Sequence, residues 1–446
     1  MHVQVSLTLE LSASATLTEM EQQIQEAGHQ AMREALKQAI RQFEDQQLIC
    51  PHCGEKQRRL EGTARRVIAT LFGRVAVPRR RFRCQACLRR WCPASSLFAS
   101  LKGRTMSAPL EEAATLVGCS WPYRVASHLL KQLSGAQISA EEIRLLTNRH
   151  GKLRAAEQQA EAQQQAEAQQ VPASASPEKQ PMLVGLDGGW VCSREQRGGM
   201  EGKVAVVSSQ MEDVPLPVLD PTFSWSKRAG PGRPPKQRHR LTKRRYVATF
   251  ASSRQIGQQA KAAAQELDAD PERPVIVIAD GADWIKKEQG KHFAHATCIL
   301  DGAHLWREVS RAIMVAARAK ALPEKERDYQ LHFHRSCLWL GNVDQALQGL
   351  HRLATDLPAE PLKRLQKAIR YVENQRPWIG SYEDWSKQGY PVGSGMIERA
   401  VAIVINRRMK KRGMRWLRRN ATAVVALRVD RLNEDWVTPQ PLRAYP

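Results

Sequence analysis

The chain has 446 residues, 42% of them hydrophobic, which is enough for real cores and for about three domains. Its 68 Lys and Arg exceed its 45 Asp and Glu, and the resulting net charge of +23 favours a nucleic-acid partner, with ribosomal-type packing or an anionic membrane surface as alternatives. No run of about 18 apolar residues exists, so we expect no transmembrane span. The N-terminus lacks a basic n-region and a proper apolar core, so we expect no signal peptide, and we expect a cytoplasmic, nucleoid-associated protein.

The first sixteen residues alternate between apolar and polar side chains, as in VQVSLTLEL, and this period of two predicts a strand. Apolar residues then recur at helical spacing, which predicts an amphipathic helix over residues 17–46. Thr18 is followed three residues later by Glu21, which is the spacing of a capping box at the start of a helix.

Two CxxC pairs follow the helix. CPHC contains Cys50 and Cys53, and CQAC, about thirty residues later, contains Cys84 and Cys87. Four thiolates in paired spacing are typical of a closed, tetrahedral structural zinc site, and they fit a reducing compartment better than a disulfide framework does.

The residues between the two pairs contain two β-branched runs around Phe72-Gly73, which predicts a hairpin and hence a zinc ribbon. His52 and Cys92 are spare donors that could replace a ligand. The ribbon is rich in arginine, which favours contact with DNA, and binding of a protein partner is the alternative.

Residues 106–150 read as short helices punctuated by Gly118, Gly135 and Gly151. They could form a helix-turn-helix or an ordinary three-helix bundle. The following Ala, Gln and Glu residues are strong helix formers without an apolar stripe, so we expect a solvated helix that ends in a linker at a domain boundary.

After the linker the pattern changes to strands and helices. MLVGLDGGWV, KVAVVSSQ and RRYVATFAS predict three strands, SRQIGQQAKAAAQELD predicts a helix, and RPVIVIADG and HATCILDGAH predict two further strands. Residues 303–385 are predicted to be helical throughout. This order indicates an α/β sheet with helical cover.

Three acids occupy positions that suggest a shared site. Asp187 lies within an apolar strand, Asp280 ends another strand, and Glu398 begins a late helix after a Gly-Ser-Gly turn. Ligand sites of open α/β sheets lie beyond the carboxyl ends of the strands, where carboxylates suit Mg²⁺ or Mn²⁺. For each acid alone, a turn or a helix cap is the more usual explanation, and the interpretation as a site depends on all three together.

Two other acids compete with this set. Asp301 precedes a helix that it could cap, and with His304 it forms a D-x-x-H pair that could support the site or touch DNA. Asp283 is expected to cap a helix or face solvent.

A basic segment follows Glu398, and Met and Trp residues interleave with its charges. We expect it to hold the DNA backbone, the alternative being a solvated helix face. GPGRPPK around Arg233 resembles part of an AT-hook, although a basic loop between two strands explains it better. The predicted DNA contacts are Arg407, Arg408, Lys410, Lys411, Arg412, Arg415, Trp416 and Arg233.

The motifs LDGGWV, ADGADWIKK, ILDGAHLWREV and VGSGMIERAVAIVINRRMKKRGMRW, with the segment CPHCGEKQRRL…FGRVAVPRRRFRCQAC, resemble the bacterial insertion-sequence transposases of the ISKra type. The resemblance covers the cysteine region and about residues 182–434. It implies an α/β, RNase H-like catalytic domain with an all-helical insertion, preceded by a zinc ribbon and a small helical DNA-binding region. Carried over motif by motif, the DDE triad would be Asp187, Asp280 and Glu398.

The resemblance further implies cleavage of element ends and strand transfer by two-metal phosphoryl transfer with two Mg²⁺ or Mn²⁺ ions, beside structural Zn²⁺. The partners would be terminal inverted repeats, target DNA and further copies of the chain in a dimer or larger assembly. An RNase H-like nuclease without strand transfer and a non-enzymatic zinc-ribbon DNA-binding protein are the alternatives.

These inferences divide the chain into seven segments. They are an N-terminal strand and helix (1–47), a zinc ribbon (48–98), a helical region (99–151), a helix and linker (152–181), the first part of the catalytic core (182–302), a helical insertion (303–385) and the Glu398 helix with the basic C-terminal region (386–446).

Overall fold

The computed structural model describes residues 2–99, 101, 103–167, 180–214, 238–268, 270 and 272–436. The chain forms two compact units. The first extends to Gly151 and includes Trp436, and the second spans Lys152–Asp435.

Within the described residues, five helices and three strands begin before Lys152, and the last of these helices continues into the second unit. They are α1 Leu17–Gln46, β1 Arg58–Thr70, β2 Gly73–Cys84, β3 Arg90–Trp91, α2 Ser95–Ala99, α3 Ala108–Ser120, α4 Tyr123–Ser134 and α5 Ala140–Glu167.

The second unit begins with strands that alternate with helices and ends with helices. Its elements are β4 Met182–Val191, β5 Met200–Ser208, β6 Met211–Val214, β7 Arg238–Leu241, β8 Arg244–Thr249, α6 Ser253–Leu267, β9 Val275–Ala279, α7 Asp283–His292, β10 Thr297–Leu300, α8 Gly302–Ala319, α9 Glu324–Trp339, α10 Val343–Ala354, α11 Ala359–Gln375, α12 Tyr382–Lys387, α13 Gly395–Val401, α14 Arg407–Met409 and α15 Arg418–Leu432.

The start of the chain corrects two predictions. The described residues 2–16 form no strand, so the N-terminal strand was wrong. Helix α1 has the predicted bounds, but its cap is Thr16 rather than Thr18. The Thr16 hydroxyl accepts from the Glu19 N–H at 3.3 Å, and the Glu19 carboxylate accepts from the Thr16 N–H at 2.8 Å. The capping box therefore lies two residues earlier than predicted.

The ribbon hairpin is confirmed. β1 and β2 pair antiparallel from Arg58 opposite Cys84 to Thr70 opposite Gly73, whose φ of 102° suits glycine in the tight turn. Behind the hairpin is a small core of buried apolar side chains, Ile40, Ile68, Val75, Val77, Ala94, Phe98 and Leu101.

Of the three glycines expected to break the helical region, only Gly135 does so, as the left-handed C-cap of α4. Gly118 lies inside α3, where an added Cβ would come within 2.0 Å of the Thr147 hydroxyl oxygen on α5. Gly151 lies inside α5, which continues to Glu167. The absent side chain at Gly118 lets two helices pack closely, and this close contact outweighs the weak helix propensity of glycine.

The later part of α5 is docked and not simply solvated, contrary to the prediction for this Ala/Gln/Glu stretch. Arg154 donates to Asp430 of α15 at 2.7 Å, Gln158 donates to the same carboxylate at 2.7 Å, and Ala162 is 3% exposed. These three residues are spaced four apart, so they lie on one face of this part of α5, which is bonded to α15 within the second unit.

A five-stranded mixed sheet forms the centre of the second unit, as the α/β prediction required. Its order is β10-β9-β4-β5-β8. β5 runs antiparallel to both of its neighbours, β4 and β8, whereas β9 is parallel to β4 and β10 is parallel to β9. Strands β6 and β7 form a separate antiparallel pair that the sequence did not predict. The predicted helical stretch is observed as α8 to α12.

Candidate functional site

The sheet brings Asp187 and Asp280 to neighbouring positions. β4 and β9 are adjacent and parallel, and Leu186 lies opposite Ala279, so the two acids are the next residues along each strand. Asp187 accepts a hydrogen bond from the Gly188 N–H at 2.6 Å, and Asp280 accepts one from the Ala282 N–H at 3.1 Å. Both carboxylates are half-buried.

The helix that carries Glu398 packs against β4 on either side of Asp187. Side chains alternate along a strand, so Gly185, Asp187 and Gly189 share one face. A Cβ at Gly185 would lie 3.1 Å from the Ile397 Cβ, and one at Gly189 would lie 2.9 Å from the Val401 Cγ1. The two glycines therefore let α13 approach the strand at the position of Asp187.

Asp301 lies at the centre of a hydrogen-bond network. It is 1% exposed and caps α8 by accepting from the Ala303 N–H at 2.7 Å and the His304 N–H at 3.3 Å. Its other oxygen accepts from His304 Nδ1 at 2.5 Å and from the Ser394 hydroxyl. That hydroxyl is also 3.2 Å from a Glu398 oxygen, so it links the two acids.

The side chains of Asp301, His304 and Glu398 offer ligand atoms within 4.8 Å of one another, which is close enough to share a metal ion. Among the described residues, the predicted triad of Asp187, Asp280 and Glu398 does not itself form so tight a group. The structure thus brings the D-x-x-H pair into the acidic centre. Ser394, whose hydroxyl joins the pair to Glu398, had no signal in the sequence.

The ionisable groups of the site influence the pKa values of Asp187, Asp301 and His304. These groups are Asp187, Asp280, Asp301, His304 and Glu398. Burial raises the pKa of Asp187 to about 6, the charges of Asp280 and Glu398 add to the rise, and the Gly188 N–H and His304 oppose it. Burial also raises the pKa of Asp301, but hydrogen bonds from His304 and Ser394 outweigh it and lower the pKa to about 2. The hydrogen bond to Asp301 raises the pKa of His304.

The helical segment holds the loops that follow β9 and β10. The Tyr371 hydroxyl donates to the Asp280 carbonyl at 3.4 Å, and the Gln375 amide donates to the Gly281 carbonyl at 2.9 Å. The Tyr382 hydroxyl donates to the Leu300 carbonyl at 2.9 Å. Sequence reasoning missed these supports, for which the i, i+4 spacing of Tyr371 and Gln375 on one helix face is the only local signal.

The basic segment divides into exposed and buried side chains, and this corrects two predicted DNA contacts. Arg408 is 1% and Trp416 is 7% exposed, with the guanidinium 5.1 Å from the centre of the indole ring. The Trp416 indole N–H donates to the Met409 carbonyl at 3.1 Å, so both side chains serve packing. Five predicted contacts are exposed, namely Arg407, Lys410, Lys411, Arg412 and Arg415.

The four predicted zinc ligands form a compact cluster in the first unit. The sulfurs of Cys50 and Cys87 are 3.7 Å apart, and those of Cys53 and Cys84 are 3.5 Å apart. Sulfurs bound tetrahedrally at about 2.3 Å from zinc are about 3.8 Å apart, so the cluster fits this ion.

Neither spare donor, His52 or Cys92, belongs to this cluster. Arg233 lies outside the described residues.

Comparison of the chain with protein-family models and with curated proteins finds no match. Within the described residues, no helix has both the length and the apolar character needed to cross a membrane.

Proposed function

We propose that the chain is a DNA transposase that cleaves the ends of an insertion sequence and transfers them into target DNA with the help of divalent cations. The observation that carries the proposal is the convergence of three acids from distant parts of the chain. Asp187 and Asp280 end up side by side on parallel strands, and the helix of Glu398 packs against the strand of Asp187.

The sheet supports an RNase H-like fold for the second unit. The strand with the first acid, β4, is central, with the antiparallel strand β5 on one side and the parallel strand β9, which leads to the second acid, on the other. The helices α8 to α12 separate the second acid from the third in the chain and correspond to the insertion implied by the resemblance.

The acidic centre fits a divalent cation. Burial, and after it the charges of Asp280 and Glu398, raise the pKa of Asp187. Among the described residues, the basic side chain in a salt bridge with this centre is His304, which pairs with Asp301. Bound Mg²⁺ or Mn²⁺ would neutralise charge on the phosphoryl oxygens and activate the attacking water or 3′-hydroxyl. Asp187, Asp280 and Glu398 would hold the ions, and Ser394 would orient Glu398.

Positive charge supports DNA as the substrate. The exposed residues Arg407, Lys410, Lys411, Arg412 and Arg415 follow the Glu398 helix directly, so they would neutralise phosphates near the reacting bond. The ribbon, with zinc at Cys50, Cys53, Cys84 and Cys87, would recognise the terminal repeats, and two copies of the chain would pair two element ends.

The test supplies the full chain with DNA from either side of its coding sequence, both intact and pre-cleaved, together with target DNA and Mg²⁺ or Mn²⁺. We expect cleaved ends and joined products. Asp187→Asn, Asp280→Asn and Glu398→Gln should each abolish both reactions while DNA binding persists in a mobility-shift assay. Asp283→Asn, which changes an exposed acid close to Asp280, is the matched control and should retain activity.

The outcomes separate the alternatives. Cleavage without joined product would indicate a nuclease, and DNA binding without cleavage would indicate a non-enzymatic zinc-ribbon protein. Normal cleavage by all three acid variants would show that Asp187, Asp280 and Glu398 are not the catalytic triad.

A further inference from the structure

Of the two ring nitrogens of His304, Nδ1 is hydrogen-bonded to Asp301 and Nε2 is available to bind a ligand. Nδ1 is 2.5 Å from a carboxylate oxygen of Asp301, and in that pair the buried carboxylate accepts the Nδ1 proton. This hydrogen bond fixes the tautomer in which Nε2 carries the lone pair, as in carboxylate–histidine–metal arrangements. The side chain is 33% exposed, so a solvated ion can reach it.

Asp301 itself is poorly suited to bind an ion directly. Its two oxygens already accept from the Ala303 and His304 N–H groups, His304 Nδ1 and the Ser394 hydroxyl, and the residue is 1% exposed. A carboxylate bonded in this way orients its neighbours. Asp301 is therefore a positioning residue for His304.

Carboxylates lie close to the imidazole of His304. Glu398 has a ligand atom within 4.8 Å of ligand atoms of His304 and Asp301. The charge of His304 lowers the pKa of Asp187, and the charge of Asp280 raises the pKa of His304. A nitrogen donor among carboxylates is a set that Mn²⁺ and other transition metals accept readily, whereas Mg²⁺ prefers oxygen ligands alone.

We propose that His304 binds a divalent transition-metal ion through Nε2, with Glu398 as the oxygen ligand, and that the centre therefore prefers Mn²⁺ to Mg²⁺. The inference deepens the proposed function, on which its catalytic meaning rests, but ion binding is measurable without DNA.

The test uses the full chain with zinc retained in the ribbon, titrated with Mn²⁺. Electron paramagnetic resonance measures bound Mn²⁺, and electron spin echo modulation detects ¹⁴N nuclei bonded to the ion. We expect directly coordinated nitrogen in the unaltered protein and none in His304→Gln. Asp301→Asn should weaken Mn²⁺ binding on the order of 10–100-fold, because the ring loses its orientation. Circular dichroism checks that each variant is folded.

His295→Gln is the matched control, since it removes an exposed histidine from the turn that precedes β10 and should leave the nitrogen signal unchanged. Absence of Mn²⁺ binding, bound Mn²⁺ without nitrogen coupling, or coupling that survives His304→Gln would each overturn the inference. Cleavage that depends on Asp187 and Asp280 but not on His304 would leave the proposed function standing. A nitrogen-bound ion in a protein that does not cleave DNA would support the metal site and contradict the proposed function.

Discussion

Arg428 of α15 donates hydrogen bonds to the backbone carbonyls of Val404, at 2.7 Å, and Ile403. Both acceptors lie in a π-helical segment, Ala402–Asn406, that joins α13 to α14 in one continuous helix. A π-helical turn displaces carbonyls from their regular partners, and such turns are frequent at functional sites. Arg428 therefore stabilises the irregular turn directly after the helix that carries Glu398.

Replacing Arg428 with methionine should lower the free energy of unfolding by about 1–3 kcal/mol, because the buried carbonyls lose a charged donor. Chemical denaturation measures the change. Arg419→Met, at an exposed position of the same helix, should change it by less than about 0.5 kcal/mol. Equal effects of the two substitutions would contradict the assigned role of Arg428.

Gly189→Ala should destabilise the second unit by about 1–3 kcal/mol, because the new Cβ would lie 2.9 Å from the Val401 Cγ1 and force the helix from the strand. If the proposed function holds, cleavage should fall as Glu398 moves away from Asp187. Gly290→Ala in α7 is the control. No heavy atom lies within 4 Å of its added Cβ, so stability should rise by about 0.4–1 kcal/mol.

The sequence predicted the elements whose patterns are locally determined. Alternating and fully apolar runs indicated β4, β5, β8, β9 and β10, and the paired cysteines indicated the Cys cluster, because these signals come from side chains close together in the chain. The alternation of apolar and polar residues near the N-terminus gave a wrong prediction, since the described residues 2–16 form no strand.

Features set by tertiary contacts were not predictable. The charge pattern of the basic segment could not reveal that Arg408 stacks on Trp416 and is buried. Gly118 in α3 is explained by its close approach to Ile143 and Thr147 on α5. The candidate site likewise depends on Ser394, which reaches Asp301 across almost a hundred residues of sequence.

Removing one cysteine of the cluster formed by Cys50, Cys53, Cys84 and Cys87 should prevent the first unit from binding zinc. Cys53→Ala should abolish zinc binding, measured by elemental mass spectrometry of the purified chain, and the melting transition of this unit should be lost, because structural zinc contributes directly to folding. Cys92→Ala changes a cysteine outside the cluster and should retain zinc. Zinc retained by Cys53→Ala would mean that another donor completes the site.

The exposed basic residues should govern the salt dependence of DNA binding. The slope of log affinity against log salt is negative, and each lost phosphate contact reduces its magnitude by about 0.9. Replacing Lys410, Lys411 and Arg412 with glutamine should therefore reduce that magnitude by up to about 2.7. Fluorescence anisotropy at several salt concentrations measures the slope. The same charge removed from the helical segment, at Lys325, Lys363 and Lys367, should have little effect, and equal slopes for both triple variants would exclude a localised contact.

Glu111 should make the first unit sensitive to acid. Its carboxylate is 1% exposed and is held by Arg104 and by His150, whose Nε2 is 2.5 Å away. Burial raises the pKa of Glu111, but the hydrogen bonds from His150 and Arg104 outweigh burial and lower it below its ordinary value of 4.5. The unfolded chain therefore binds the proton at higher pH than the folded one does.

The direction in which stability changes with pH follows from this difference in proton binding. The contribution of Glu111 is complete above pH 4.5 and is lost as the pH falls towards the folded pKa, because the unfolded state then binds more protons. Glu111→Gln should lower stability at neutral pH by about 3 kcal/mol and flatten the decline in acid. Denaturation at a series of pH values measures both effects. Glu142→Gln, at an exposed position of α5, should preserve the pH profile, and an unchanged profile in Glu111→Gln would show that other carboxylates cause the decline.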